Sequence, residues 1–311
     1  PDRPTGAFWL VSSPLLWAGD VLISYALVGF AMLLLFRNTK ASRLPIWAVS
    51  FAIVLVGTLL ALGLLMQVFV MTPEGKAMLA KQASDAAAMV AAERQAYGGG
   101  SYLDATIQRI KDTLAMLGAL PVFGLLILVM FLLGAWLVRA GIMRDTVAHA
   151  RLFRRMLLLG MLVGLPLMLL SATMMPTMEM HEMSLRSMGW QSAAMIAGVL
   201  MSLGYASAIV LAMHRPAWRR RLSWLAPAGR MALTNYLMQS VVCTTIFYGY
   251  GLDYFEQLPR AWQPLFVAAL FGLQVWLSRW WLSRYRYGPM EWLWRWMTYG
   301  ARQPMRLPAI A

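Results

Sequence analysis

A chain of 311 residues that is 60% hydrophobic and 13% charged has too little polar surface for a water-soluble domain, and its repeated apolar runs of about twenty residues match the thickness of hydrocarbon. The net charge of +14 does not indicate nucleic acid, because the cations gather beside apolar runs and no basic stretch with interleaved aromatics is present. Composition therefore predicts an all-α, polytopic integral membrane helix bundle, one domain over residues 1–311.

Seven transmembrane helices are predicted in chain order: Leu15 to Phe36, Leu44 to Val70, Leu117 to Val138, Met156 to Met174, Gln191 to Met213, Met231 to Tyr250 and Pro264 to Leu282. Charge sorts the segments between them. Arg37, Lys40 and Arg43 follow the first span, and Arg139, Arg144, Arg151, Arg154 and Arg155 oppose only Asp145 after the third. Arg215, Arg219, Arg220, Arg221 and Arg230 precede the sixth, and the tail from Arg279 carries six arginines against Glu291. These segments are predicted to be cytoplasmic and to meet anionic headgroups. The alternate segments are balanced or net negative, so residue 1 is expected outside and the C-terminus inside. The chain begins at Pro1 with no secretory signal pattern ahead of its first span, and is expected to lack its natural beginning. The single cysteine, Cys243, excludes an intramolecular disulfide.

Residues 72–113 read as an extracytoplasmic helical hairpin insertion. Thr72-Pro73-Glu74 is a helix start, with a hydroxyl cap, a first-turn proline and an acid at the positive end of the dipole. An alanine-rich helix should run to about Tyr97, Gly98-Gly99-Gly100 should break it, and Ser101 with Asp104 should cap a second helix.

The sixth span carries the most informative segment, Gly229 to Ser240, which takes Arg230, Thr234, Asn235 and Gln239 into an apolar helix. At 100° per residue Arg230 and Thr234 lie close together, while Asn235 and Gln239 form a separate pair, so two neighbours are addressed. The amides lie about 8 and 14 Å from the cytoplasmic end. Such groups need partners where water is absent; interhelical hydrogen bonding and a polar lining for a substrate both meet that need.

Asp20 is the one acid within a predicted span, which makes it a site candidate by default. His181 or Arg186, near the outer surface, is its expected partner. The segment Met174 to Met183 has thioethers and an imidazole suited to Cu(I), but the 25 methionines of the chain are spread throughout. No metal site is expected. Three separated histidines make no zinc motif, and no nucleotide-binding glycine loop or nucleophile elbow appears.

The run Gly229-Arg230-Met231-Ala232-Leu233-Thr234-Asn235-Tyr236-Leu237-Met238-Gln239-Ser240, followed by Phe247-Tyr248-Gly249-Tyr250-Gly251, resembles the C-terminal signature of the YeiB-like bacterial membrane proteins, the domain of unknown function 418. Leu277-Ser278-Arg279-Trp280-Trp281-Leu282, Arg286 to Arg295 and Leu15 to Leu22 are similar to further segments of that family. The likeness is strongest over about 150–300. Two features depart from the family pattern: no Leu-Asp-x-Leu-Arg-Gly-type first helix is present, and Ser12, Ser13 and Pro14 stand where members often carry a histidine.

The resemblance implies a bacterial cytoplasmic (inner) membrane protein with a distant likeness to transmembrane acyltransferases, which pass an acyl group from cytosolic acyl-CoA to an extracytoplasmic acceptor. On that basis Asp20 and His181 are expected to be catalytic. Arg230, Thr234, Asn235, Gln239 and Gln274 are expected to line the substrate or acyl path, and Arg215, Arg219, Arg220 and Arg221 to meet CoA phosphates. No cofactor is required beyond acyl-CoA as donor substrate. A small-solute transporter with Asp20 coupled to protons, and a non-catalytic scaffold, are the alternatives.

Overall fold

A computed structural model of the protein describes residues 22–175 and 184–306. The helices, in chain order, are α1 (Leu22–Phe36), α2 (Leu44–Phe69), α3 (Pro73–Arg94), α4 (Tyr102–Gly118), α5 (Leu120–Arg139), α6 (Ala150–Leu159), α7 (Leu165–Met174), α8 (Leu185–Met213), α9 (Pro216–Leu222), α10 (Ala226–Arg230), α11 (Ala232–Phe247), α12 (Gln263–Leu282) and α13 (Pro289–Tyr299). Among the described residues there is no β-strand, only an isolated antiparallel bridge between Tyr285 and Arg306.

Among the described residues, five helices are long and apolar enough to cross a membrane: Ala41–Phe69, Leu120–Arg139, Ala150–Met174, Leu185–Met213 and Arg260–Leu282. Within their apolar windows only 17–22% of residues are buried in the protein. Leucines such as Leu34, Leu65 and Leu162 face outward, an arrangement that suits lipid and opposes water. Of the other two predicted spans, α1 is described over 15 residues. Helix α11 has 16 residues, about 24 Å at 1.5 Å per residue, against a hydrocarbon core of about 30 Å.

The described residues divide into two compact units. One comprises Leu27–Val90 and Gly118–Arg219. Its core joins Val28 and Phe36 of α1, Leu44 and Ala48 of α2, and Leu128, Val129 and Leu132 of α5. A second cluster holds Leu55 and Leu59 against Met188 of α8. Arg139 closes the end of α1 by donating from Nη1 to the Phe36 carbonyl at 2.9 Å, a cation at the negative end of the helix dipole. Two histidines of this unit have protein partners: His214 Nε2 lies 3.0 Å from the Thr146 hydroxyl, and His149 Nδ1 lies 2.8 Å from the Asp145 carbonyl.

Helices α6 and α7 are one rod joined by a π-turn over Gly160–Gly164, packed along α8. A Cβ at Gly160 would lie 2.7 Å from the Leu200 carbonyl oxygen and 2.8 Å from Gly204 Cα, so the two backbones touch. Small residues at such a crossing replace the hydrophobic drive that lipid abolishes. Gly160→Leu is therefore expected to destabilise this unit by about 2–3 kcal/mol, since backbone cannot swing aside. The check is the unfolding midpoint in detergent beside Gly57→Leu, where a Cβ meets nothing within 4 Å; equal midpoints would contradict the crossing.

The local start signals of the insertion appear as predicted. The Thr72 hydroxyl accepts from the Gly75 amide at 3.0 Å. Ser101 and Asp104 cap each other, with the Ser101 amide donating to the Asp104 carboxylate at 2.9 Å and the Asp104 amide to Ser101 Oγ at 3.3 Å. Helix α3 stops at Arg94, and a π-turn over Gln95–Gly99 carries the chain to the break at Gly100.

Candidate functional site

The second unit is built from Ala91–Leu117 and the residues from Arg220 onward, with 22–26. Helix α10 ends at Met231, whose φ of −112° and ψ of 31° break it from α11. This break turns the Arg230 to Gln239 segment into a junction rather than one smooth helix. Thr234 and Asn235, adjacent in sequence, then point to different partners, as the 100° step requires.

Thr234 meets the start of α13. Its backbone amide donates to Glu291 Oε1 at 3.0 Å, its hydroxyl donates to Glu291 Oε2, and the same hydroxyl accepts from the Met290 amide at 3.1 Å. Thr234 is in the first turn of α11, where amides lack intrahelical acceptors, so Glu291 caps α11 while Thr234 caps α13. Gly288 leaves room for this exchange: a Cβ there would strike the Glu291 carboxylate and lie 2.8 Å from Thr234 Oγ1. Arg230 Nη2 donates to the Arg286 carbonyl at 3.3 Å and holds the same junction.

Asn235 faces the other way. Its Nδ2 donates to the Ala228 carbonyl, which also accepts from the Met231 amide at the break, at 3.1 Å, and to Ser278 Oγ of α12 at 3.0 Å. Gln274, one turn along α12, donates from Nε2 to the Asn235 carbonyl at 2.9 Å. Asn235, Gln274 and Ser278 are all buried. Their amides are engaged inside the protein and tie α10, α11 and α12 together. Gln239, half-buried, is not drawn into that network.

Beside the junction lies a cleft of about 540 Å³ lined by Arg220, Trp224 and Arg230 from the α9 to α10 segment, by Arg279 and Leu282 of α12, and by Ser283 just after it. Arg220, Ser223, Trp224 and Pro227 follow at helical spacing and so share a face. The lining includes three guanidinium groups and no carboxylate. Of the four arginines predicted to meet phosphate, Arg220 lines it, and Arg230, expected on the acyl path, lines it too. Arg215 and Arg219 belong to the other unit, and Arg221 is exposed but outside the lining. The chain pattern did not pair Arg279 with Trp224, because 55 residues separate them; Arg279 sits in the Leu277–Leu282 motif and Trp224 in none, and no local periodicity pairs the α9 to α10 segment with α12. Asp20 and His181 lie outside the described residues.

A second cluster was not legible at all. Arg109 of α4 is fully buried, with its guanidinium 5.2–5.6 Å from the ring centres of Tyr102, Tyr248 and Tyr250 and donating to the Tyr250 hydroxyl at 2.8 Å. Tyr97 stacks on Tyr248 at 4.8 Å and donates its hydroxyl to Asp112, which also accepts from Gln108 Nε2 at 2.8 Å. Burial and then the Asp112 carboxylate push the Tyr97 phenol up, and the same two causes, in that order, raise Glu93. The Gly249 amide donates to the Tyr97 carbonyl at 2.8 Å. Tyr248-Gly249-Tyr250 is thus the socket for the turn after α3. Among the described residues no group of acids, histidines and cysteine is arranged to hold a metal.

Residues 137–301 match the family model described as "Protein of unknown function (DUF418)". The chain is 31% identical over 315 residues to the uncharacterized protein YxaH of Bacillus subtilis (strain 168), an alignment covering 96% of this chain and 70% of that protein. It is 29% identical over 298 residues to the uncharacterized protein YeiB of Escherichia coli (strain K12), covering 93% and 72%. No solved structure matches. The motifs joined at the Thr234–Glu291 junction fall within the matched segment, and the chain belongs to the YeiB-like DUF418 family.

Proposed function

We propose that this protein is a seven-helix protein of the bacterial cytoplasmic membrane, with residue 1 outside and the C-terminus inside, that binds acyl-CoA from the cytoplasm and passes its acyl group to an extracytoplasmic acceptor. The spans beginning at Leu15 and Met231 complete the seven. The observation that carries the donor assignment is the convergence of Arg220, Arg230 and Arg279 on one cleft whose lining has no acid. Guanidinium forks match phosphate oxygens, and three gathered cations repel one another until an anion joins them. The basic segments beside this cleft are those assigned to the cytoplasm by charge, where acyl-CoA is found.

The chemistry is an acyl transfer. An acceptor hydroxyl oxygen bonds to the acyl carbonyl carbon, the thioester C–S bond breaks, and CoA leaves as the thiol with the hydroxyl proton. Asp20 and His181 are assigned to the acceptor side, His181 as base and Asp20 as its orienting carboxylate. Thr234, Asn235 and Gln274 form the rigid wall that fixes Arg230 against α12, and Gln239 is the amide left to face the acyl path.

The purified full-length protein is expected to gain about 5 °C in its unfolding midpoint with acetyl-CoA or a long-chain acyl-CoA at a hundred times the dissociation constant. The Arg220→Gln, Arg279→Gln double variant should lose most of that gain. No shift with any CoA ester at saturation would reject the donor assignment.

A further inference from the structure

We propose that the cleft recognises the adenine nucleotide end of its ligand, with Trp224 as the platform on which the base stacks and Arg220, Arg230 and Arg279 as the phosphate clamp. This inference rests on the acyl-CoA assignment above and adds which part of the donor is read, and by which side chain.

The arginine and aromatic pairs in this unit differ in kind. In the tail, Arg284 lies 4.5 Å from the centre of Trp280, Arg295 4.7 Å from Tyr287 and Arg302 4.4 Å from Trp296. Those are close cation–π contacts, and each occupies the ring it covers. Trp224 is different: Arg279 stands 5.9 Å from its ring centre, at the limit of such an attraction. The indole is 47% exposed and lines the cleft. An apolar ring held open between three cations is poorly placed for packing and well placed for a flat aromatic ligand that carries phosphate, because stacking and charge pairing then act on one molecule.

The cleft's hydroxyls favour a base that carries an exocyclic amine. Ser223 Oγ donates to the Arg220 carbonyl at 2.7 Å and Ser283 Oγ to the Trp280 carbonyl at 2.7 Å. Both protons are engaged along their own helices, so each hydroxyl offers the cleft lone pairs. An exocyclic amine can donate to them, as in adenine; the carbonyl at the same position of hypoxanthine cannot. The volume of about 540 Å³ falls in the range of small-molecule sites. Inorganic phosphate meets the arginines alone and leaves the indole and the serine lone pairs without a role.

The test measures binding of ADP, IDP and inorganic diphosphate to the full chain in detergent, by titration calorimetry, in the native protein and in Trp224→Ala and Trp224→Phe. ADP is expected to bind about tenfold more tightly than diphosphate, in line with the usual strength of base stacking on an aromatic side chain, and several-fold more tightly than IDP. Trp224→Ala should bring ADP down to the diphosphate level, and Trp224→Phe should restore it to within about threefold. The phenylalanine variant guards against a fold defect caused by the small side chain. Equal ADP affinity in Trp224→Ala and native protein, or ADP no tighter than diphosphate, overturns the inference. If acyl-CoA still stabilises Trp224→Ala fully, the donor assignment survives that failure. If neither ADP nor any CoA ester binds, while nanodiscs of phosphatidylglycerol protect the native protein and not the Arg220→Gln, Arg279→Gln variant, the cleft holds a lipid headgroup and both readings fall.

Discussion

Glu291→Ala is expected to lower stability by about 2–4 kcal/mol, read as an unfolding midpoint in detergent. The carboxylate accepts from the Thr234 amide at 3.0 Å and from the Thr234 hydroxyl. Hydrogen bonds to a charged group contribute about 1.5–3 kcal/mol each, and their sum is reduced here because Glu291 is half-exposed. Removal also returns a first-turn amide of α11 to an uncapped state. Thr234→Val should have a similar effect, because it deletes the hydroxyl that joins Glu291 to the Met290 amide. The pair should be strongly non-additive, the double variant costing little more than either single change, as expected for one shared network. Additive effects would show that the two residues act separately and that the junction between α11 and α13 is held by something else.

Gly249→Val should free the turn after α3. A Cβ at Gly249 would lie 2.8 Å from the Gly98 carbonyl carbon and 3.1 Å from the Gly99 amide nitrogen, both backbone atoms that cannot rotate away. The segments must separate, and the Gly249 to Tyr97 hydrogen bond at 2.8 Å is then lost. Stacking of Tyr97 on Tyr248 and the Arg94 to Glu256 ion pair at 3.0 Å depend on the same approach. The ion pair is exposed and contributes little, so the backbone contact and the aromatic packing dominate. Amide hydrogen exchange over residues 95–100 is expected to accelerate at least tenfold, the signature of local opening at a cost of about 1.4 kcal/mol or more. Gly249→Ala should show a smaller increase. Unchanged exchange in the valine variant would mean that Tyr248-Gly249-Tyr250 is not the socket.

Much of this protein was readable because its governing forces are local or compositional. Thr72 caps α3, and Ser101 with Asp104 caps α4, since a cap and its amide lie within three residues and need no tertiary partner. The offset of Thr234 from Asn235 followed from helical geometry, and so did the expectation that they address two neighbours. The partners themselves were hidden: Glu291 lies 57 residues from Thr234 and Ser278 lies 43 from Asn235. In the sequence Glu291 is one acid among tail arginines, inside the family-like segment Arg286 to Arg295, and Arg109 is one cation in a charge-balanced segment. Neither offers a periodic signal, because its role depends on which helix is rotated against it.

The amino-acid sequence by itself determined the membrane class, the helix starts and the family, because hydropathy, capping and motif identity are carried by neighbouring residues. Tertiary structure alone decided that Met231 breaks the motif helix, that the Asn235 and Gln274 amides bond within the protein, and that Arg220, Arg230 and Arg279 rather than the whole arginine-rich segment surround one cleft. The physical reason is that a helix presents every side chain of its circumference. Which of them face a partner, a ligand or lipid is set by the packing angle and rotation of helices distant in the chain.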